Sequence, residues 1–234
     1  SDQENYVEAI ERSGQTLLSL IEDLLDTARI ENDQLTLATR PTELQKLIEE
    51  VADLVAPLAD EKGLHIATFV DPTIPAEVEC DPARLRQVLL NLMGNAVKFT
   101  RKGGVGIEVK CAASKGQQAD TGRLEFSVTD SGPGLAKADQ DRIFEDFVQT
   151  THGATREHGG AGLGLPISQR LVRLMGGEIT VQSRPGKGAT FQFAIDGKMA
   201  RINHDTMDCD PKSGNSIAVI MLRNPARLTL MRLM

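Results

Sequence analysis

Between Pro82 and Thr100 the apolar positions Leu85, Val88, Leu89, Leu92, Ala96 and Phe99 fall in one sector when residues are spaced at about 100° each, which predicts an amphipathic helix. Asp81 ahead of Pro82 marks its start, because aspartate is a good N-cap and proline lacks the N–H that would be orphaned at the first helical position. A second stripe of Arg84, Asn91, Asn95 and Lys98 runs beside the apolar one. Asparagine is a mediocre helix former whose side chain competes with the backbone. Two of them one turn apart are either a solvated flank or one wall of a site, and the pattern alone leaves both readings open.

Other periodic stretches surround this one. Residues 6–31 place Ile10, Leu17, Ile21, Leu24, Leu25 and Ala28 on one helical stripe, which a single helix cannot bury against itself. Leu35 and Leu37 predict a short strand broken at Arg40-Pro41, after which Thr42 caps a helix through Leu44, Leu47, Ile48, Val51, Leu54, Val55 and Leu58, ended by Gly63. Residues 64–70 read as a strand and Pro72 and Pro75 as a loop. Strands are expected at 105–111 and at Leu124, Phe126 and Val128 up to Asp130, joined by a polar loop at 115–122. Ser131-Gly132-Pro133-Gly134 is a tight bend; Ile143, Phe144 and Phe147 lie on a short helix, and small and polar residues fill 149–160. A glycine-rich run, 160–165, leads into a helix through Ile167, Leu171, Val172 and Leu174, and strands at 178–183 and 189–195 flank a turn at 185–188. The expectation is an α+β fold, helices beside a mixed sheet, with glycine-rich loops at element junctions. Residues 198–214 form a polar linker, and the apolar 216–222 with the helical 224–234 begin a second domain or make a disordered tail.

Composition narrows the function classes. Apolar residues at 40% and charged residues at 25% describe a soluble globular chain, and aromatics at 3% without tryptophan give an aliphatic core. A net charge of −7 without a basic stripe argues against nucleic acid. Cys80, Cys111 and Cys209 are odd in number and widely spaced, so they read as reduced thiols, neither a disulfide frame nor a zinc site. No apolar run reaches the roughly 18 residues of a membrane span, and no signal peptide is expected from the opening residues. A cytoplasmic fragment without membrane contact is expected, cut from a parent that can carry an anchor elsewhere.

Taken singly, the loops carry little. Gly160 to Leu165 follows no strand directly, so it fails the dinucleotide-binding test, yet glycines opening a helix expose N–H groups and a positive dipole end suited to phosphate. Asp130 is either a turn-forming aspartate or a carboxylate able to accept a hydrogen bond from an exocyclic amine.

Together these runs resemble the catalytic ATP-binding domain of sensor histidine kinases, within the gyrase, Hsp90, histidine kinase and MutL superfamily. Asn91-Leu-Met-Gly-Asn95-Ala-Val-Lys98-Phe-Thr resembles the family's N box, Asp130-Ser-Gly132-Pro-Gly134 its first glycine box and Phe144-Glu-Asp-Phe147 its F box. Gly160-Ala-Gly162-Leu163-Gly164-Leu165 resembles the second glycine box, and Gly186-Lys-Gly-Ala-Thr190-Phe the third. The resemblance implies a two-layer α/β sandwich of the Bergerat type preceded by a bundle helix. It divides the chain into the second helix of a dimerisation and phosphotransfer bundle (1–38), the ATP-binding domain (39–197), a linker (198–214) and the start of a degenerate receiver-like domain (215–234). It implies ATP and Mg²⁺ as cofactors, with Asn95 the metal ligand, Asn91 and Lys98 in catalysis, and Asp130 reading the adenine amine beside Leu135. Gly132, Gly134, Phe144, Phe147, Arg156, Gly160, Gly162, Leu163, Gly164, Leu165 and Thr190 complete the implied nucleotide contacts, with residues 148–159 as a lid. Arg156 reads equally as a solvent-facing arginine.

Hydrolysing members of the superfamily place a glutamate four residues before the metal-binding asparagine. Asn91 stands there and cannot act as a general base, which favours phosphoryl transfer to a protein nucleophile. None of His65, His152, His158 and His204 lies in an acceptor-like helix, so the acceptor histidine is expected outside this chain and no autophosphorylation is expected from it alone. The implied partners are ATP or ADP, that acceptor helix, a response regulator or receiver domain, and a second copy of the parent. The alternatives are a nucleotide-binding pseudokinase and a hydrolysing ATPase. Asp146 departs from the family's usual proline, and Leu222-Arg223 stand where a receiver needs an acidic pair.

Overall fold

The computed structural model describes residues 35–112, 121–146, 148, 162–199 and 221–222, together with Val7, Gly14, Ile21, Leu25 and Ala28, which are helical. In chain order these are β1 (Arg40–Glu43), α1 (Leu44–Glu61), β2 (His65–Val70), β3 (Glu77–Cys80), α2 (Pro82–Phe99), β4 (Gly104–Ala112) and β5 (Thr121–Asp130). There follow α3 (Lys137–Gln140), a 3₁₀ turn (Arg142–Phe144), α4 (Gly164–Leu174), β6 (Thr180–Ser183), β7 (Ala189–Met199) and β8 (Met221–Leu222). The sheet runs β1-β3-β7-β5-β4-β2-β8, with β6 also paired to β7. β2 and β4 are parallel and the other pairs antiparallel, so the sheet is mixed, as expected.

One face of the sheet is buried under α1, α2 and α4. Val105, Ile107 and Val109 of β4, Leu124, Phe126 and Val128 of β5, and Phe191, Phe193 and Ile195 of β7 alternate inward. Their neighbours Glu108, Ser127, Glu125 and Gln192 stand on the outer face. Phe126 and Phe193 stack across the β5–β7 pair with centroids 4.8 Å apart and planes 5° from parallel. From above, α2 supplies Leu85, Val88, Leu89, Leu92 and Ala96, all buried, and Met93 and Val97 with them. The two-layer α+β arrangement therefore follows from period-two strands meeting period-3.6 helices.

Several local expectations need correction. Thr42 does not cap α1: it lies in β1 opposite Val78, its buried hydroxyl donates to the Arg40 carbonyl at 3.0 Å, and Glu43 occupies the N-cap without a side-chain bond. Residues 35–39, read as a short strand, carry no regular structure, although Leu35 and Leu37 pack on the core. β3 was hidden in the supposed loop because Glu77 and Glu79 face solvent and only Val78 and Cys80 turn inward. Leu54 and Leu58 of α1 are exposed at 60% and 54%, and Phe99, assigned to the core face of α2, at 52%. Phe99 is the last helical residue, and its side chain turns away from the buried Val97 and Thr100 on either side of it. Of the segment assigned to a receiver-like domain, only Met221–Leu222 is described, as an edge strand antiparallel to Ala67 and Thr68 of β2. Among the described residues no helix is long and apolar enough to cross a membrane.

The burial contrast sets a stability test. Phe126→Ala is expected to cost about 3–5 kcal/mol in urea unfolding, whereas Phe99→Ala stays within about 0.5 kcal/mol.

Candidate nucleotide site

The site starts from the two ends of α2. At its beginning, Asp81 Oδ1 accepts from the Ala83 and Arg84 N–H groups, both at 3.1 Å, and Oδ2 accepts from the Ala38 N–H at 2.8 Å. That cap fixes the helix against the chain preceding β1. Further along, the polar stripe is half-buried and faces α4. Asn91 Nδ2 donates to Ser168 Oγ at 2.9 Å, and Asn95 Nδ2 donates to Asn91 Oδ1 at 3.3 Å. A Cβ on Gly164 would stand 2.3 Å from Asn91 Oδ1, so only glycine lets the first turn of α4 come this close. The Asn95 carbonyl oxygen takes no part in these bonds.

α4 opens at Gly164 with the buried Leu163 at its N-cap and no side-chain capping bond. Pro166 lacks an N–H, and the first-turn N–H groups that remain, on Gly164 and Leu165, suit an anion. Gly162, at φ 73°, turns the chain into this helix. At the other end of α2, Lys98 is half-buried. Burial, and after it the charge of Lys62, hold its ammonium below the ordinary lysine value.

The opposite wall comes from the end of the sheet. Asp130 closes β5, half-buried, and its Oδ1 accepts from the Gly132 N–H at 2.8 Å and the Ala189 N–H at 3.3 Å. Burial pushes its carboxyl above the ordinary aspartate range, and the two N–H bonds offset only part of that. Gly188, at φ 77°, presses on this strand end: a Cβ there would lie 1.9 Å from the Asp130 carbonyl oxygen. The Gly132–Gly134 loop is fastened to the β6–β7 turn, with the Leu135 N–H donating to Ser183 Oγ at 2.7 Å and the Gly186 N–H to the Pro133 carbonyl at 2.7 Å. Leu135 and Phe144 are half-buried against the core.

Asn91, Ser168 and Gly164 thus join α2 to α4, while Asp130, Gly132, Gly134 and Leu135 gather at the end of β5. Thr190 is not brought to this side. It lies on the outer face, where its hydroxyl meets that of Thr129 at 3.1 Å, because strand alternation turns Ala189 and Phe191 inward. Its neighbour Ala189 contributes instead, through the backbone. Phe147, Arg156, Gly160 and, except for Val148, the lid lie outside the described residues. Sequence reasoning missed Ser168 and Lys62, since nothing in a single serine or lysine marks a partner many residues away. Thr100 is fully buried, and its hydroxyl has no hydrogen-bond partner among the described residues.

With this geometry in view, residues 80–199, just over half of the chain, match the family described as Histidine kinase-, DNA gyrase B-, and HSP90-like ATPase. The chain belongs to that family. It is 39% identical over 193 residues to the signal transduction histidine-protein kinase BarA of Escherichia coli K12, covering 82% of this chain and 21% of BarA. It is 36% identical over 226 residues to the sensor histidine kinase GacS of Pseudomonas protegens, covering 97% of this chain and 24% of GacS. The chain therefore spans about a fifth to a quarter of the length of these relatives. Among solved structures, full-length ShkA in complex with AMPPNP superposes with a TM-score of 0.73 at 42% identity, over 86% of this chain and 40% of ShkA. The catalytic domain of the histidine kinase ThkA gives 0.52 at 27% identity, over 68% and 95% of the two chains.

Two measurements probe the wall residues in the free protein. An unpartnered buried hydroxyl costs about 1–3 kcal/mol, so Thr100→Val is expected to raise the melting temperature. For Asp130 the folded pKa lies above the unfolded one. The folded state therefore holds the proton more tightly, and this contribution to stability is full below the ordinary carboxylate range and lost as pH rises through the raised value. Asp130→Asn keeps an oxygen for the Gly132 and Ala189 N–H groups, so its stability should gain on the wild type as pH climbs through that window. A constant difference at every pH in urea unfolding would contradict the assignment.

Proposed function

We propose that this chain is the ATP-binding catalytic portion of a two-component sensor histidine kinase, passing the γ-phosphoryl group to a histidine on another segment. The observation that carries the reading is the Asn91–Asn95 pair seated against the opening turn of α4. Family membership and the kinase relatives support it.

The roles follow from the donors and acceptors present. Asp130, held by two N–H groups on one oxygen, offers its other oxygen to the exocyclic amine of adenine, with Leu135 as apolar neighbour. The uncapped N–H groups of Gly164 and Leu165 take phosphate oxygens. Mg²⁺ favours hard oxygen donors, and one or two protein oxygens suffice when phosphates and waters complete its octahedron. The Asn95 carbonyl oxygen fits that demand, since its amide nitrogen is the group spent on Asn91. Bound there, the ion would supply charge neutralisation between phosphates.

Lys98 is the cation for charge developing on the transferred group. Asn91 orients: its amide nitrogen is committed to Ser168 and its oxygen to Asn95, and an amide does not take up a proton from water at neutral pH. Such an arrangement suits a nucleotide awaiting attack by a separate nucleophile. The implied partners are the acceptor histidine helix, a receiver domain or response regulator, and a second copy meeting the apolar stripe of the N-terminal helix.

Calorimetric titration with ADP, with and without Mg²⁺, tests the reading. Asp130→Asn should weaken binding at least about tenfold in both conditions, and Asn95→Ala should remove the enhancement that Mg²⁺ confers. Adding a helix hairpin bearing the acceptor histidine with ATP should yield acid-labile phosphohistidine. Unchanged affinity in both variants would sink the site; binding without transfer would leave a nucleotide-binding pseudokinase, and steady phosphate release indifferent to the acceptor a hydrolase.

A further inference from the structure

The final turn of α2 is held from outside the helix. Lys62, the residue that ends α1, donates from Nζ to the Val97 carbonyl at 2.9 Å and to the Lys98 carbonyl at 2.7 Å. These belong to the last carbonyls of a helix, which have no intrahelical partner and carry the negative end of its dipole. A lysine there satisfies two acceptors and opposes that partial charge. Its position has a second effect. The Lys98 side chain leaves from the same turn, and the Lys62 charge lies close enough to make the protonated form of Lys98 less favourable.

Two ammonium groups at one helix end repel each other in the free protein, and a polyanion beside Lys98 relieves that repulsion. We infer that Lys62 is a positioning residue for the phosphate end of the nucleotide site, fixing the Lys98 ammonium through its bonds to the Val97 and Lys98 carbonyls. The inference rests on the assignment of Lys98 to phosphate. Lys62 acts through Lys98 and the helix end, so it should matter for ligands with phosphate and be silent for the base alone.

The test is titration of the full chain with Mg-ATP and separately with adenosine, for wild type, Lys62→Met, Lys62→Arg, Lys98→Met and the Lys62→Met/Lys98→Met pair. Lys62→Met should weaken Mg-ATP about fivefold and leave adenosine unchanged. Lys62→Arg should recover most of the loss, and Lys62→Met should add nothing once Lys98 is methionine. Lys62→Gln gives the same comparison if thermal melting shows that the methionine variant does not fold. An equal loss for both ligands, or none for Mg-ATP, would overturn the inference while leaving nucleotide binding intact. A wild type that binds neither ligand would overturn the functional reading and this inference with it.

Discussion

The Asn91 amide, donating to Ser168 at 2.9 Å and accepting from Asn95 at 3.3 Å, joins α2 to α4. Everything on the proposed phosphate side depends on that joint. It brings the uncapped beginning of α4 beside the polar stripe of α2, and it assigns the two amides different work. The Asn91 amide is spent on these two bonds, and the Asn95 oxygen takes no part in them. Gly164 makes the joint possible, because the Asn91 oxygen occupies the volume that a Cβ would need. The apolar face of the same helix, from Leu85 to Val97, holds α2 to the sheet, so the joint is referenced to the core.

The proposed adenine side rests on a different constraint, the pairing of β5 with β7. Their register puts Asp130 opposite Ala189, so that a backbone N–H of one strand reaches the side chain ending the other. Gly188 allows the turn to press against that strand end, and Ser183 ties the first glycine loop down by accepting from Leu135 and donating to the Gly188 carbonyl at 2.7 Å. An aspartate held this way is positioned before any ligand arrives. Burial raises the cost of its charge, and an amine donor is the kind of group that offsets the cost.

What the sequence made legible followed the strength of each periodic signal. The core faces of α2, β4, β5 and β7 were readable because many buried positions repeat in phase. β3 was not, since two inward residues are too few to register and Glu77 and Glu79 disguise it. Thr42 looked like a cap because threonine before an apolar helix usually is one, yet pairing with Val78 drew it into the sheet. The polar stripe was visible, but its meaning was not, because the partner of Asn91 lies 77 residues away. The Thr190 assignment failed for a simpler reason. A motif match carries no parity, and only the strand register reveals that Ala189, one residue earlier, is the position facing the site.

Charge decides how such a site can select its ligand. The chain as a whole carries −7, so at long range it repels a polyphosphate. Screening confines that repulsion to about 8 Å at physiological ionic strength, and inside that distance the local groups decide. In the proposed site those groups are the N–H donors opening α4 and the Lys98 ammonium, all placed by helix ends and not by a diffuse basic surface. Binding that relies on directed donors in place of a broad field rejects an anion of the wrong shape even when its charge is right. On the proposed reading the half-burial of Lys98 is useful. Water is partly excluded around its ammonium, so its interaction with an incoming phosphate is less screened than that of a surface lysine. Steering is therefore weak here and positional discrimination strong, which agrees with the proposed role of holding one nucleotide for a separate nucleophile.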